Sequence, residues 1–344
     1  MKLASIRTSM SDAVVAANLS VEGRDWLVDL TRAYRDRLDA EAKNATNIAL
    51  AEAFLPIDMR LLLEGGVGAL AAARDALAHA KAALASPEVL ADWHASGIVH
   101  EPETVTFLPP VPRPGKIISI GANYRKHLAE FKDEAGGAVL ERVTSRLGEA
   151  GFPPGFAKLP STLTGHKQPI HYPRWTTQLD YEAELCVVIG RRCKNVAVAD
   201  VPGVIAGYTI MNDVSMRDIQ SDEMSRGMLL MGKNLDTTAP VGPWLVTADE
   251  VANPQALEIR CWVNGDLRQH ASTAEMIFSV AEIIAHYSRM TLEPGDIFTT
   301  GSPAGVGITA ARPERYLLKP GDEIEIEIQP LGRLINRVVV DPDS

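Results

Sequence analysis

The run Asp180-Tyr181-Glu182-Ala183-Glu184-Leu185-Cys186-Val187-Val188-Ile189-Gly190 puts two carboxylates at the head of an apolar stretch rich in β-branched residues. A run of that kind, closed by glycine, reads as a buried strand. Side chains alternate faces along a strand, so Glu182 and Glu184 point the same way, with Cα atoms roughly 6.5–7 Å apart. Two carboxylates side by side at the start of a core strand repel each other and resist burial. A divalent cation between them removes both difficulties. A solvated strand end, or a charge ladder with Lys or Arg, also fits the pattern. A second strand-like run, 203–212, ends at Asp213, well placed to give a third oxygen ligand.

Other groups could work beside such a centre. If residues 122–130 are helical, His127 and Glu130 lie three apart on one face, where a carboxylate can orient an imidazole as a general base requires. The same spacing is common in surface contacts. Lys233 sits between Gly232 and Asn234 in a loop, within reach of a ligand anion. Met224, Met228 and Met231 precede it and read as core filler before pocket wall. The glycine-rich stretch 299–307 can aim backbone N–H groups at an anion.

The elements that must position these groups follow from local pattern. Residues 1–108 form a first region: short strands around 3–6 and 13–17, a helix from Asp29, another over 58–64 and an Ala-rich one over 67–85. They supply no cluster of catalytic groups and read as scaffold or dimer packing. The proline run 109–114 cannot be helix or central strand and marks a boundary. The catalytic region spans 115–344. It opens with a strand ending at Gly121, and its irregular, Gly- and Pro-rich segment within 122–165 reads as a lid. Asn264-Gly265 is a hairpin turn. Ser272-Thr273-Ala274-Glu275 is a capping box expected to open a helix with Ile277, Val280, Ala281 and Ile284 on one face. His286 on that helix reads as structural.

The 344 residues are 46% hydrophobic, enough for a large core. The net charge of −10, without a long basic run, excludes nucleic acid as the expected partner. Cys186, Cys193 and Cys261 have no ligand-like spacing and read as thiols rather than a disulfide framework. Neither a signal peptide nor a membrane span is evident, so a cytoplasmic protein is expected.

Taken in order, segments 116–130, 180–190, 212–220, 232–240 and 294–307 resemble the fumarylacetoacetate hydrolase family. The resemblance covers roughly 105–340. It implies an α+β, β-rich fold with a mixed β-roll catalytic domain, a smaller N-terminal α/β region, and a homodimer. It places the metal ligands on Glu182, Glu184 and Asp213, the dyad on His127 and Glu130, and the active-site lysine on Lys233. Tyr124, Lys158, Arg217, Gln220 and Thr300 fall on substrate-binding positions. A fourth acidic ligand found in the name-bearing enzyme has no counterpart at 121–124. Hard oxygen ligands suit Mg²⁺ or Mn²⁺, with Ca²⁺ as an alternative occupant.

The function expected on this basis is hydrolysis of a C–C bond in a 2,4-dioxo acid, such as an acylpyruvate, or a related β-diketone. Alternatives are oxaloacetate decarboxylation, isomerisation or hydration of a dienedioate, and non-catalytic binding of a keto acid.

Overall fold

The computed structural model describes residues 1–130 and 151–342; of the segment expected as a lid, residues 131–150 lie outside the described residues. The fold is α+β and built on an open 12-stranded sheet. Its centre is the apolar run itself. Ala183–Ile189 is buried along its whole length and pairs antiparallel with Ile205–Asn212 on one side and Ile297–Thr299 on the other. Beyond Ile297–Thr299 come Ile117–Ile120, in parallel, and Gly155–Lys158. A strand covered on both faces needs no polar alternation, which is why this segment reads as a continuous hydrophobic run.

The N-terminal strands continue the same sheet. Lys2–Arg7 pairs with Ala239–Thr247, and Val14–Val21 and Arg24–Asp29 follow outward. Side chains of both regions share one core, with Leu3, Val15 and Val28 packed in the same cluster as Val188 and Met211. Helices Leu30–Glu41 and Met59–Glu64 start where Asp29 and Asp58 accept the backbone N–H of Arg32 and Leu61. The Ala-rich helix Gly66–Ala83 buries Ala69, Ala72, Ala73, Ala76 and Ala80, a stripe at helical spacing.

A second sheet has five strands, in the order Asp266–Ser272, Glu258–Val263, Glu323–Ile328, Gly332–Val340 and Ile170–Tyr172. Its first two strands form the expected hairpin, with Asn264 and Gly265 both at positive φ. The Ser272 capping box is present but opens only the 3₁₀ turn Thr273–Glu275. Buried Asn123 intervenes: its carbonyl accepts the Ile277 N–H and its Oδ1 accepts the Phe278 N–H. Those amides are thereby removed from a continuous helix. A second capping box at Ser279 and Glu282 then starts the helix Val280–Tyr287.

The close pairing of the central strands leaves one position with no room for a side chain. A Cβ on Gly207 would lie 2.1 Å from the Val246 carbonyl oxygen, whereas one on Gly203 would meet nothing within 4 Å. Gly207→Ala should therefore cost about 1–3 kcal/mol, the usual scale for overpacking, and Gly203→Ala much less. Parallel thermal melts of the two variants check this.

Candidate active site

Strand register brings the acids together. Ala183 pairs with Asn212, and the Asp213 N–H donates to the Glu182 carbonyl at 2.9 Å. Asn212 Oδ1 accepts the Glu182 N–H at 2.9 Å, fixing the strand end. Glu182, Glu184 and Asp213 are all buried, and each offers an oxygen within 4.8 Å of the others. The reading as a solvated strand end is thereby excluded.

Cations and amides hold this cluster. Lys233 Nζ donates to Glu182 Oε2 at 2.8 Å and to Asp213 Oδ2 at 2.9 Å. Lys158 Nζ lies 2.7 Å from Asp213 Oδ1 and donates to the Lys233 carbonyl. Arg217 and Gln220, one turn apart on the helix Arg217–Ser225, both face inward. Arg217 donates through Nε to Asp180 at 2.8 Å, and its Nη2 lies 2.7 Å from Glu182 Oε1. Its Nη1 donates to Gln220 Oε1 at 3.0 Å.

Titration directions follow from these contacts. Burial works against charge on Glu182, but Lys233, Arg217 and His127 outweigh it and bring the carboxyl down to about 2. Glu184 goes the other way. Burial and the charges of Asp213 and Glu182 push it well above the usual carboxylate range. The Gly301 N–H donates to it at 2.7 Å. Both lysines are buried. Burial lowers Lys158, which has Asp213 as its close carboxylate, while Asp213 and Glu182 together overcome burial and raise Lys233. The donor set fits a hard divalent cation: three buried carboxylates grouped within 4.8 Å, whose mutual repulsion a cation would relieve. Asp213 Oδ1 adds to the fit, because it takes no well-aligned hydrogen bond despite the nearby Lys158.

The His127–Glu130 pair forms as the spacing predicts, on the helix Arg125–Glu130. Nδ1 of buried His127 lies 3.1 Å from Glu130 Oε2. Glu130 Oε1 accepts the Gly305 N–H at 2.8 Å. The glycine-rich loop thus does present its amides to anions, and those anions are the protein's own carboxylates. Gly301 binds Glu184, Gly305 binds Glu130, and Gly307 and Ile308 bind Asp180 at 2.7 and 3.1 Å.

A cavity of about 470 Å³ opens over the cluster. His127, Glu182, Asp213, Lys233, Arg217 and Gln220 line its polar side, joined by Ser302. Ile120, Leu128, Phe156, Met224, Met228 and Leu229 line the rest. Met224 and Met228 are therefore wall rather than core, and Met231 is exposed. Of the site residues expected from the sequence, Glu184, Glu130, Lys158, Thr300 and Tyr124 do not line it. Lys158 stands behind Asp213. The Thr300 hydroxyl donates to the Leu185 carbonyl at 3.0 Å. Tyr124 is packed in the core, its buried hydroxyl without a hydrogen-bond partner among the described residues, and burial followed by the Glu184 charge pushes its pKa up. Sequence reasoning missed Asp180, Asn123 and Gln269. Their contacts cross from 37 to 177 residues of chain, and no local spacing announces them.

The sequence model described as "Fumarylacetoacetate (FAA) hydrolase C-terminal" matches residues 116–339. The chain belongs to this family. Among its relatives, rat "Oxaloacetate tautomerase Fahd2a, mitochondrial" is 39% identical over 287 residues, covering 83% of this chain and 80% of the relative. Oxaloacetate tautomerase YisK of Bacillus subtilis is 42% identical over 232 residues, covering 67% and 71%. Among solved structures, maleylpyruvate hydrolase from Sphingobium sp. SYK-6, in complex with manganese (II) ion and pyruvate, aligns with a TM-score of 0.67 at 27% identity over 99% of this chain and all of that one. The open sheet and the acidic cluster described above are how this chain builds the family's fold and a candidate metal centre.

The raised Glu184 gives a signed expectation. In metal-free protein the carboxyl keeps its proton above the ordinary carboxylate range, so metal must displace it. Mn²⁺ binding should release protons, and affinity should rise with pH until Glu184 is ionised. Glu184→Gln should abolish that release and weaken binding by at least the roughly 10–100-fold seen when even outer-shell partners are lost. Calorimetry in two buffers of different ionisation enthalpy measures both.

Proposed function

We propose that this protein is a divalent-metal-dependent enzyme that moves a proton between carbon and oxygen of a 2-oxo acid, with oxaloacetate keto–enol tautomerisation as its reaction. The observation that carries this reading is one cavity lined by Glu182, Asp213, Lys233 and His127, with Glu184 completing the acidic group and Glu130 holding His127. Identity near 40% to oxaloacetate tautomerases supports it.

Glu182, Glu184 and Asp213 would hold Mg²⁺ or Mn²⁺, and the bound ion would supply a Lewis acid. The remaining work belongs to side chains. Lys233 keeps its proton because two carboxylates face it, so it serves as an electrostatic partner for the enolate oxygen rather than as a base. His127, oriented by Glu130, is the base. In the keto-to-enol direction it removes a proton from C3 as the C3–H electron pair moves into a C2–C3 double bond. The oxygen at C2 takes up a proton from solvent and His127 releases its own to solvent, so composition is unchanged. The reverse direction returns the proton to C3.

A second reading is the hydrolysis of an acylpyruvate expected from the sequence. Two observations favour it. The dyad can equally take a proton from an attacking water, and a cavity of about 470 Å³ exceeds what a four-carbon acid fills. Hydrolysis consumes water and yields two acids, whereas tautomerisation leaves composition unchanged and decarboxylation releases CO₂. Among the described residues no helix is long and apolar enough to cross a membrane. The printed names of several animal relatives place those proteins in mitochondria, so the cytoplasmic expectation is not carried further.

His127→Ala should spare Mn²⁺ binding while lowering turnover by about 10²–10⁴-fold, the scale of a general base. Glu130→Gln should cost less. Loss of enol absorbance with oxaloacetate, and acid release from acylpyruvates, are followed side by side. Wild-type protein with Mn²⁺ that leaves the oxaloacetate enol decaying at its buffer rate refutes the tautomerase reading.

A further inference from the structure

We infer that Gln269 is a positioning residue for the proton-transfer dyad, acting through the loop 301–308 without touching substrate. The inference rests on the reading above only in giving His127 the proton.

Gln269 is fully buried on Asp266–Ser272, an edge strand whose other residues are exposed or half-buried. A bulge puts it there. Trp262 opposes Leu267, but Cys261 opposes Gln269, so Arg268 is an extra residue in the ladder. Bulges re-aim side chains, and this one has two consequences. It turns the Gln269 amide into the interior. It also presses the Arg268 carbonyl against Gly305, where a Cβ would lie 2.1 Å from that oxygen.

The amide is fully used. Nε2 donates to Ser302 Oγ at 2.9 Å and to the Pro303 carbonyl at 2.8 Å. Oε1 accepts the N–H of Ala183 at 3.0 Å. Ala183 lies between the two glutamates of the candidate metal centre. Two residues beyond Pro303, the Gly305 N–H holds Glu130, and Glu130 holds His127. A run of hydrogen bonds thus passes from the metal strand through Gln269 and the loop to the dyad. Burying a primary amide costs free energy that an apolar residue on an edge strand would not. Fixing the loop against the metal strand, and with it the reach of His127 to the substrate carbon, gives that cost a use.

The test is Gln269→Met, close in length and without polar atoms, assayed at saturating Mn²⁺ with oxaloacetate. The expected kcat loss is about 10–100-fold, the scale of a misplacement near 1 Å, with KM and Mn²⁺ affinity little changed. In a Glu130→Gln background the same change should add almost nothing, because both act through one contact. Amide exchange at Gly305 should quicken. Losses that multiply with Glu130→Gln, an unchanged kcat, or full recovery on adding more Mn²⁺ would overturn the inference. Should Gln269→Met not fold, Gln269→Glu keeps the size and the acceptor for Ala183 but sets an oxygen against the Pro303 carbonyl, and it is judged by the same measurements. If wild-type protein does not act on oxaloacetate, the proposed reaction fails. The positioning role is then decided by exchange at Gly305 alone, and unchanged exchange in the variant refutes it.

Discussion

Burying three carboxylates in one place is the constraint that shapes this protein. Ionised and unpaired, each would cost several kcal/mol to remove from water, and each would repel the other two. The strand pairing that brings Glu182, Glu184 and Asp213 within 4.8 Å of one another survives because compensation comes from several elements at once. Lys158 arrives on the strand Gly155–Lys158, Lys233 on the 3₁₀ turn Met231–Lys233 and Arg217 at the start of its helix. Among the described residues Glu184 receives no cation at hydrogen-bonding distance; burial and the charges of Asp213 and Glu182 raise its pKa, against a hydrogen bond from Thr299 and the Gly301 amide beside it. The most protonatable acid is thus the one on which a bound cation acts most strongly.

Backbone amides do what further cations could not. Another lysine near Glu130 or Asp180 would add to the positive charge around the dyad and compete for the substrate's own carboxylate. The loop 301–308 instead offers N–H dipoles, which bind carboxylates without bringing a net charge. Its glycines are required by shape as well. Gly301 and Gly305 have positive φ, and Cβ atoms at 305 and 307 would meet Arg268 O and Asp180 Oδ1 at 2.1 and 2.6 Å. One short loop therefore touches a candidate metal ligand, the carboxylate paired with His127 and the acid that orients Arg217.

The parts of this arrangement legible in sequence were those written locally. The apolar run with its two leading glutamates, the i,i+3 spacing of His127 and Glu130, the Asn264-Gly265 turn and the Asp caps of the N-terminal helices all state their geometry within a few residues. The helix expected after Ser272 was cut short by Asn123, a partner about 150 residues away that no local pattern contains. Met224 and Met228 could not be told from core filler, because a methionine at helical spacing serves both uses. Gln269 is the extreme case. Its burial depends on a bulge, and its three partners lie on two distant segments. The anion-binding character of residues 299–307 was readable, but the identity of the anions required the tertiary structure.

The two buried lysines show how the same residue type acquires different duties. Lys233 faces two carboxylates and remains a firm cation at the cavity wall. Lys158 is pulled down by burial and, secondarily, by Lys233, yet it donates to the Lys233 carbonyl and lies against Asp213. It holds both the ligand and the turn that presents the other lysine, from a position the cavity does not reach. Charge that must meet substrate is thereby separated from charge that only supports it. The proposed proton transfer needs a base in addition, and neither lysine suits it: two carboxylates hold Lys233 protonated against burial, and Lys158 does not line the cavity. In the proposed reaction that group is the imidazole of His127, held by a carboxylate whose second oxygen is fixed by the loop.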